Sequence, residues 1–230
     1  MDANTTIIKH HGAGGGVTGS RHELALDDGA SLLIDCGLFQ GGDRGDDGAH
    51  AGHLDIGFDI EGVQALVITH VHLDHVGRIP WLLAAGFDGP IYCSEPSAEL
   101  LPIMLEDAFK LGISRQPQAI QWYLKRVGRL IRPLPFGRWH SVYRRGGREA
   151  AIRLRRAGHV LGSAYVECAL TEGDQDTRPS ARRAASFSRK GRAARWSWMV
   201  ASMRSTPVSI PSAAIPRTPT ATACSTSSPA

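Results

Sequence analysis

The stretch Thr69-His-Val-His-Leu-Asp-His-Val-Gly77 constrains this chain more than any other. Four side chains of metal-ligand type, His70, His72, Asp74 and His75, fall within six residues, directly after the apolar run Ala65-Leu-Val-Ile-Thr69. A short apolar run of this kind reads as a buried strand. Alternate side chains of a strand point to opposite faces, so His70 and His72 share one. The chain must then turn, and the turn brings Asp74 and His75 round to the same pocket. Imidazole mixed with carboxylate suits zinc, with iron and manganese as weaker fits.

Three further words surround this one. Gly12-Ala-Gly-Gly-Gly-Val-Thr-Gly-Ser20 is a glycine-rich loop; Leu33-Ile-Asp-Cys-Gly-Leu-Phe-Gln-Gly41 ends a strand on Asp35; and Ala157-Gly-His-Val-Leu-Gly-Ser163 sets His159 between glycines just before another strand. The glycine run is not a phosphate-binding loop of the Walker type, since no Gly-Lys-Ser/Thr follows, and no helix pattern opens after it as a dinucleotide site requires. Together, H-x-H-x-D-H and these words resemble the metallo-β-lactamase superfamily, and within it the RNA-processing β-CASP branch of nucleases, over residues 5–172.

The resemblance implies an α/β fold, the αββα sandwich of the metallo-β-lactamases, here incomplete and limited to its first half. It implies two zinc ions, the first held by His70, His72 and His159, with Asp74 and His75 contributing to the second. Asp35 matches the aspartate that supports the metal loop without being a main ligand. The implied reaction is phosphodiester hydrolysis of RNA by a metal-activated hydroxide, which Asp74 would help to orient. His10 and His11 also sit at a strand end but match no ligand position. Hydrolysis of a thioester or lactone, and a non-catalytic RNA-binding remnant, are the competing readings.

The segments between the words alternate. Strands are expected at Thr5–Lys9, Leu24–Leu26 and Ser31–Asp35, with a hairpin turn at Asp27–Gly29. A helix follows the metal loop from Pro80 to Ala85, ended by Gly86. After a strand at Gly89–Ser94, Ser97 is the expected cap of a helix running to Lys110 with Pro102 in its first turn. Ile120, Leu124, Val127 and Ile131 recur at helical spacing. Strands are read at Ala151–Arg155 and Ala164–Leu170. The polar loop from Gly41 to Gly57, with His50 and His53, receives no role. Strands alternating with helices point to layered α/β architecture.

The family pattern stops near residue 176. A bridging aspartate, a cap domain and a final histidine ligand should follow, leaving five of seven expected ligands here; Asp174 and Asp176 lie too early to bridge. Of the 26 basic residues, nine lie in 177–230, which hold no Asp or Glu, leaving 17 against all 22 acids in 1–176. The chain is therefore read as a domain over 1–176 and a low-complexity basic tail over 177–230. Serine, alanine, arginine, proline and threonine dominate the tail, which buries too little apolar surface to offset chain entropy, so it is expected to be disordered. The abrupt change suggests out-of-frame translation of a GC-rich gene, testable in the nucleotide sequence, where another frame should restore a Ser-Gly-Asp-like word.

A second basic region lies inside the body. Twelve cations between Arg115 and Arg156 face the single acid Glu149, either as a solvated face or as attraction for a phosphate backbone. No apolar run reaches the roughly 18 residues of a membrane span. No signal peptide is visible at Met1-Asp-Ala-Asn-Thr-Thr. Cys36, Cys93, Cys168 and Cys224 form no CxxC pair and read as buried thiols of a reducing cytoplasm.

Overall fold

The computed structural model describes residues 7–14, 17–26, 29–42 and 55–172, and in the tail only the backbone of 181–187, 189–190, 195–196 and 201–203. Expectations for His50, His53, Asp174, Asp176 and Cys224, and most of those for the tail, fall outside these residues.

Six strands form the first sheet in sequence order: β1 (Ile8–Gly12), β2 (Arg21–Ala25), β3 (Ser31–Ile34), β4 (Val63–Val67), β5 (Ile91–Ser94) and β6 (Ile131–Leu134). The first three are antiparallel, whereas β3 to β6 run parallel. Parallel neighbours need crossovers, and helices supply two of them. Between β4 and β5 lie α1 (Leu73–Val76) and α2 (Ile79–Ala84); between β5 and β6 lie α3 (Glu95–Gly112) and α4 (Pro117–Leu130). The second sheet is antiparallel and contains β7 (Trp139–Arg145), β8 (Arg148–Arg156) and β9 (Ala164–Glu172), with β10 (Ala181–Phe187) paired outside β9.

Burial explains the apolar run before the metal word. Leu66 and Ile68 pack with Leu33, Ile91 and Cys93 against the helices, through Leu82, Leu101, Leu105, Tyr123 and Val127. Ala65 and Val67 face the other way, meeting Leu32, Ile34, Ile152, Leu154 and Val166 between the sheets. Gln64 in β4 is exposed, but from Ala65 on the chain is covered on both faces and has no polar positions to alternate. The described layers are thus helix, sheet, sheet; the fourth layer of an αββα sandwich is not among the described residues.

Several local expectations are corrected. Helix α3 starts earlier than expected, and its cap is Ser94, whose hydroxyl accepts from the Ser97 backbone N–H. Pro102 therefore sits inside that helix rather than in its first turn. Helix α4 opens at Pro117, and Ile131 already belongs to β6. The edge strands β6 and β7, and the single-turn α1, were not expected at all. Cys36, Cys93 and Cys168 are free and buried. No helix among the described residues is long and apolar enough to cross a membrane.

Candidate metal centre

The site lies where β3 and β4 end. Asp35 follows β3 with φ of 60° and no exposed surface. A left-handed backbone is uncommon outside glycine, and aspartate tolerates it better than most. This bend aims the carboxylate at the loop after β4. Its Oδ1 accepts the Thr69 backbone N–H at 2.8 Å. Its Oδ2 accepts from the Thr69 hydroxyl at 2.8 Å, from Ser20 Oγ at 3.2 Å and from His75 Nδ1 at 2.7 Å. Burial, the largest influence, would raise this carboxyl's pKa, but His75, His70 and the Thr69 backbone N–H together outweigh it and the net shift is downward. Asp35 therefore stays ionised and accepts from Nδ1 of His75, which turns Nε2 towards Asp74. That nitrogen lies 3.7 Å from Asp74 Oδ2.

The backbone of 36–38 runs directly against the metal loop. Cys36 N–H donates to His75 O at 2.7 Å and Leu38 N–H to Leu73 O at 2.9 Å. Gly37 sits between them, where a Cβ would lie 1.7 Å from the Asp74 carbonyl oxygen. Only glycine permits that approach.

Three imidazoles converge above this floor. His70, His72 and His159 each offer one ring nitrogen, and these atoms all lie within 4.8 Å of one another. His72 Nδ1 and His159 Nε2 are 3.3 Å apart across 87 residues of sequence. His70 Nδ1 is 3.1 Å from the Thr69 hydroxyl, so Nε2 is the nitrogen that could hold a cation. Burial pushes His70 down to about 3, with His75 adding to the shift. Burial, then His159, lowers His72 as well. Both rings are thus neutral at pH 7 and present lone pairs, as a bound cation requires. Three histidines with an open side match the donor set of a zinc site that keeps room for water. Nearby, Asp74 and His75 stand as a second pair of donors, with His70 and His75 ring centroids 3.9 Å apart.

His10 and His11 do not join the cluster. His10 Nδ1 lies 2.7 Å from Nδ1 of the buried His22, and His11 Nε2 lies 2.8 Å from Glu23 while its ring stacks on Phe58. Sequence reasoning missed His22 and Ser20. They sit on β2 and its approach, and Ser20 Oγ links His22 Nε2, at 3.3 Å, to Asp35. Nothing in the local sequence distinguishes them.

The internal basic belt divides. Arg153 and Arg155 share Glu167, Arg144 pairs with Glu149, and Arg156 lies over Phe136. Lys125 and Arg129 on α4 are exposed beside Trp122, itself 64% exposed with the Arg126 guanidinium 5.8 Å from its ring.

A family model described as the metallo-beta-lactamase superfamily matches residues 24–174. Ribonuclease TTHA0252 of Thermus thermophilus is 40% identical over 157 residues, 67% of this chain and 33% of the relative. A transcription termination factor, FttA, of Methanococcus maripaludis is 32% identical over 148 residues, 62% of this chain and 22% of its own. Integrator complex subunit 11 of Danio rerio is 31% identical over 146 residues, 60% of this chain and 23% of its own. The chain spans about a third or less of the length of these relatives.

Proposed function

The chain belongs to the metallo-β-lactamase superfamily, and from that premise we propose that residues 1–176 form the first half of a zinc-dependent phosphodiesterase acting on RNA, of the β-CASP branch. The observation that carries the reading is the convergence of His70, His72 and His159 over a floor ordered by Asp35. The relatives support the substrate class, since one is named a ribonuclease.

In this reading His70, His72 and His159 hold the first cation. A divalent cation there supplies Lewis acidity and lowers the pKa of its water. His75, its Nδ1 proton held by Asp35, presents Nε2 beside Asp74 for a second cation. The Asp74 carboxylate orients the attacking water and accepts its proton. The exposed cations of α4 attract the RNA backbone, with Trp122 available to a base.

The test measures zinc content and RNA binding of the purified chain, with and without chelator, beside cleavage assays on RNA and on a thioester. The expected result is one tightly held zinc, lost in His72→Ala, and RNA affinity that falls when zinc is removed. Thioester turnover with no RNA binding would favour another hydrolase of the superfamily. RNA affinity indifferent to chelator would favour the non-catalytic remnant.

A further inference from the structure

His70 and His72 sit in the five-residue connection from β4 to α1, which Asp35 ties down through Thr69, whereas His159 reaches the cluster from elsewhere in the chain. It lies in the loop 157–163 between β8 and β9, exposed, in a segment whose two glycines, Gly158 and Gly162, both have positive φ. A histidine on so free a backbone would sample many positions, and a cation site needs one. Something outside the loop must therefore fix it.

Two sets of contacts do so. Inside the loop, Ser163 Oγ accepts both the His159 backbone N–H at 3.0 Å and the Val160 N–H at 3.1 Å. This ties the ligand's own amide to the residue that enters β9. At that entry, Ala164 N–H donates to the Thr69 carbonyl at 2.8 Å, so the loop is joined to the residue preceding His70. Outside the loop, the start of α3 takes the other end. The Gly162 carbonyl accepts from Ser94 Oγ at 2.6 Å and from Ser97 Oγ at 3.1 Å. A carbonyl oxygen has two lone pairs, and both are used. The two serines are almost fully buried, at 1% and 0% exposure. The fit leaves no room for a side chain at Gly162, where a Cβ would lie 2.6 Å from Ser97 Oγ and 2.8 Å from the Ser97 backbone nitrogen.

Capping alone does not require this arrangement. Ser94 already caps α3 by accepting from the Ser97 amide at 3.3 Å, and that task leaves its proton for another acceptor. The Ser97 hydroxyl is not needed by the cap at all. The two hydroxyls lie 3.0 Å from each other, and both come within hydrogen-bond distance of one carbonyl three residues beyond His159.

We infer that Ser94 and Ser97, with Ser163, are positioning residues that clamp the loop 157–163 and hold His159 in line with His70 and His72. The inference rests on the cation site of the proposed function, and it assigns to the N-terminus of α3 a role in that site. The serines touch neither cation nor substrate; they act through His159.

The test is a double-mutant cycle read by cation affinity, using zinc or cobalt and the full chain. Ser94→Ala/Ser97→Ala should weaken the first equivalent roughly 10- to 100-fold, the range for groups that orient a ligand. In a His159→Ala background the same pair should cause no further loss, because the ligand through which it acts is gone. A purely structural pair would weaken binding by the same factor in both backgrounds, and that result overturns the inference. Wild-type affinity in the double variant overturns it too. Should the double variant not fold, Ser97→Ala and Ser163→Ala are measured singly by the same cycle. A wild-type chain that takes up no cation refutes the proposed site itself, whereas a wild-type site with unaffected serine variants refutes only the clamp.

Discussion

Replacing Asp35 by Asn isolates the charge that organises the metal loop. Asparagine tolerates positive φ, so the bend at 60° costs little extra and the shape is kept. The amide oxygen can still accept the Thr69 backbone N–H. The amide nitrogen, however, replaces Oδ2 and meets three groups that now donate to it: Ser20 Oγ, Thr69 Oγ1 and His75 Nδ1. The two hydroxyls can rotate and accept. The His75 N–H cannot, unless its proton moves to Nε2, where it would block the nitrogen beside Asp74. One charge-assisted hydrogen bond is therefore lost at a fully buried carboxylate, about 1.5–3 kcal/mol, and one buried donor is left opposed. We expect Asp35→Asn to lower unfolding stability by about 2–4 kcal/mol. The assay is urea unfolding in chelator at pH 7, with the slope checked for constancy. The sign of the pH dependence follows from the lowered carboxyl. Asp35 contributes stability that is present above its unfolded pKa, near 3.9, and is lost as pH falls through its lower folded value. The gap between wild type and variant should be flat from pH 7 to 5 and should begin to close below about pH 4. A variant within about 0.5 kcal/mol of wild type at pH 7, the usual range for inconsequential surface changes, would refute the account of Asp35.

His159→Ala should weaken cation binding without abolishing it, while leaving unfolding in chelator within about 0.5 kcal/mol, because the ring is exposed and reaches only the cluster; a cation titration and urea unfolding check both halves. Burial lowers the pKa of His22 and His70 to about 3 in the folded chain. The unfolded chain takes up protons at these residues below about pH 6.5 while the folded chain does not, so apo stability should fall as pH drops from 6.5 towards 3, and His22→Asn should shallow that slope in a urea series. Gly37→Ala should cost about 2 kcal/mol or more, since its Cβ would meet the Asp74 carbonyl at 1.7 Å; the thermal midpoint reads the loss directly.

The sequence by itself disclosed the metal word, because four side chains of metal-ligand type crowd into six residues; Asp35 and His159 were legible only through the family resemblance, and the structure brings both to that word. The sequence also disclosed β4, because burial on both faces leaves an unbroken apolar run. It did not disclose β6 and β7, whose edge positions admit arginine and proline, nor that Ser94 rather than Ser97 caps α3. The cap was legible only once the second hydroxyl had a use, and that use is a carbonyl 65 residues away. Asp35 meets Thr69 across 34 residues and His75 across 40, while His159 meets His72 across 87. Contacts of that span leave no periodicity in the chain. Packing alone decides them, because a buried donor must find an acceptor wherever the fold has brought one within 3 Å or so.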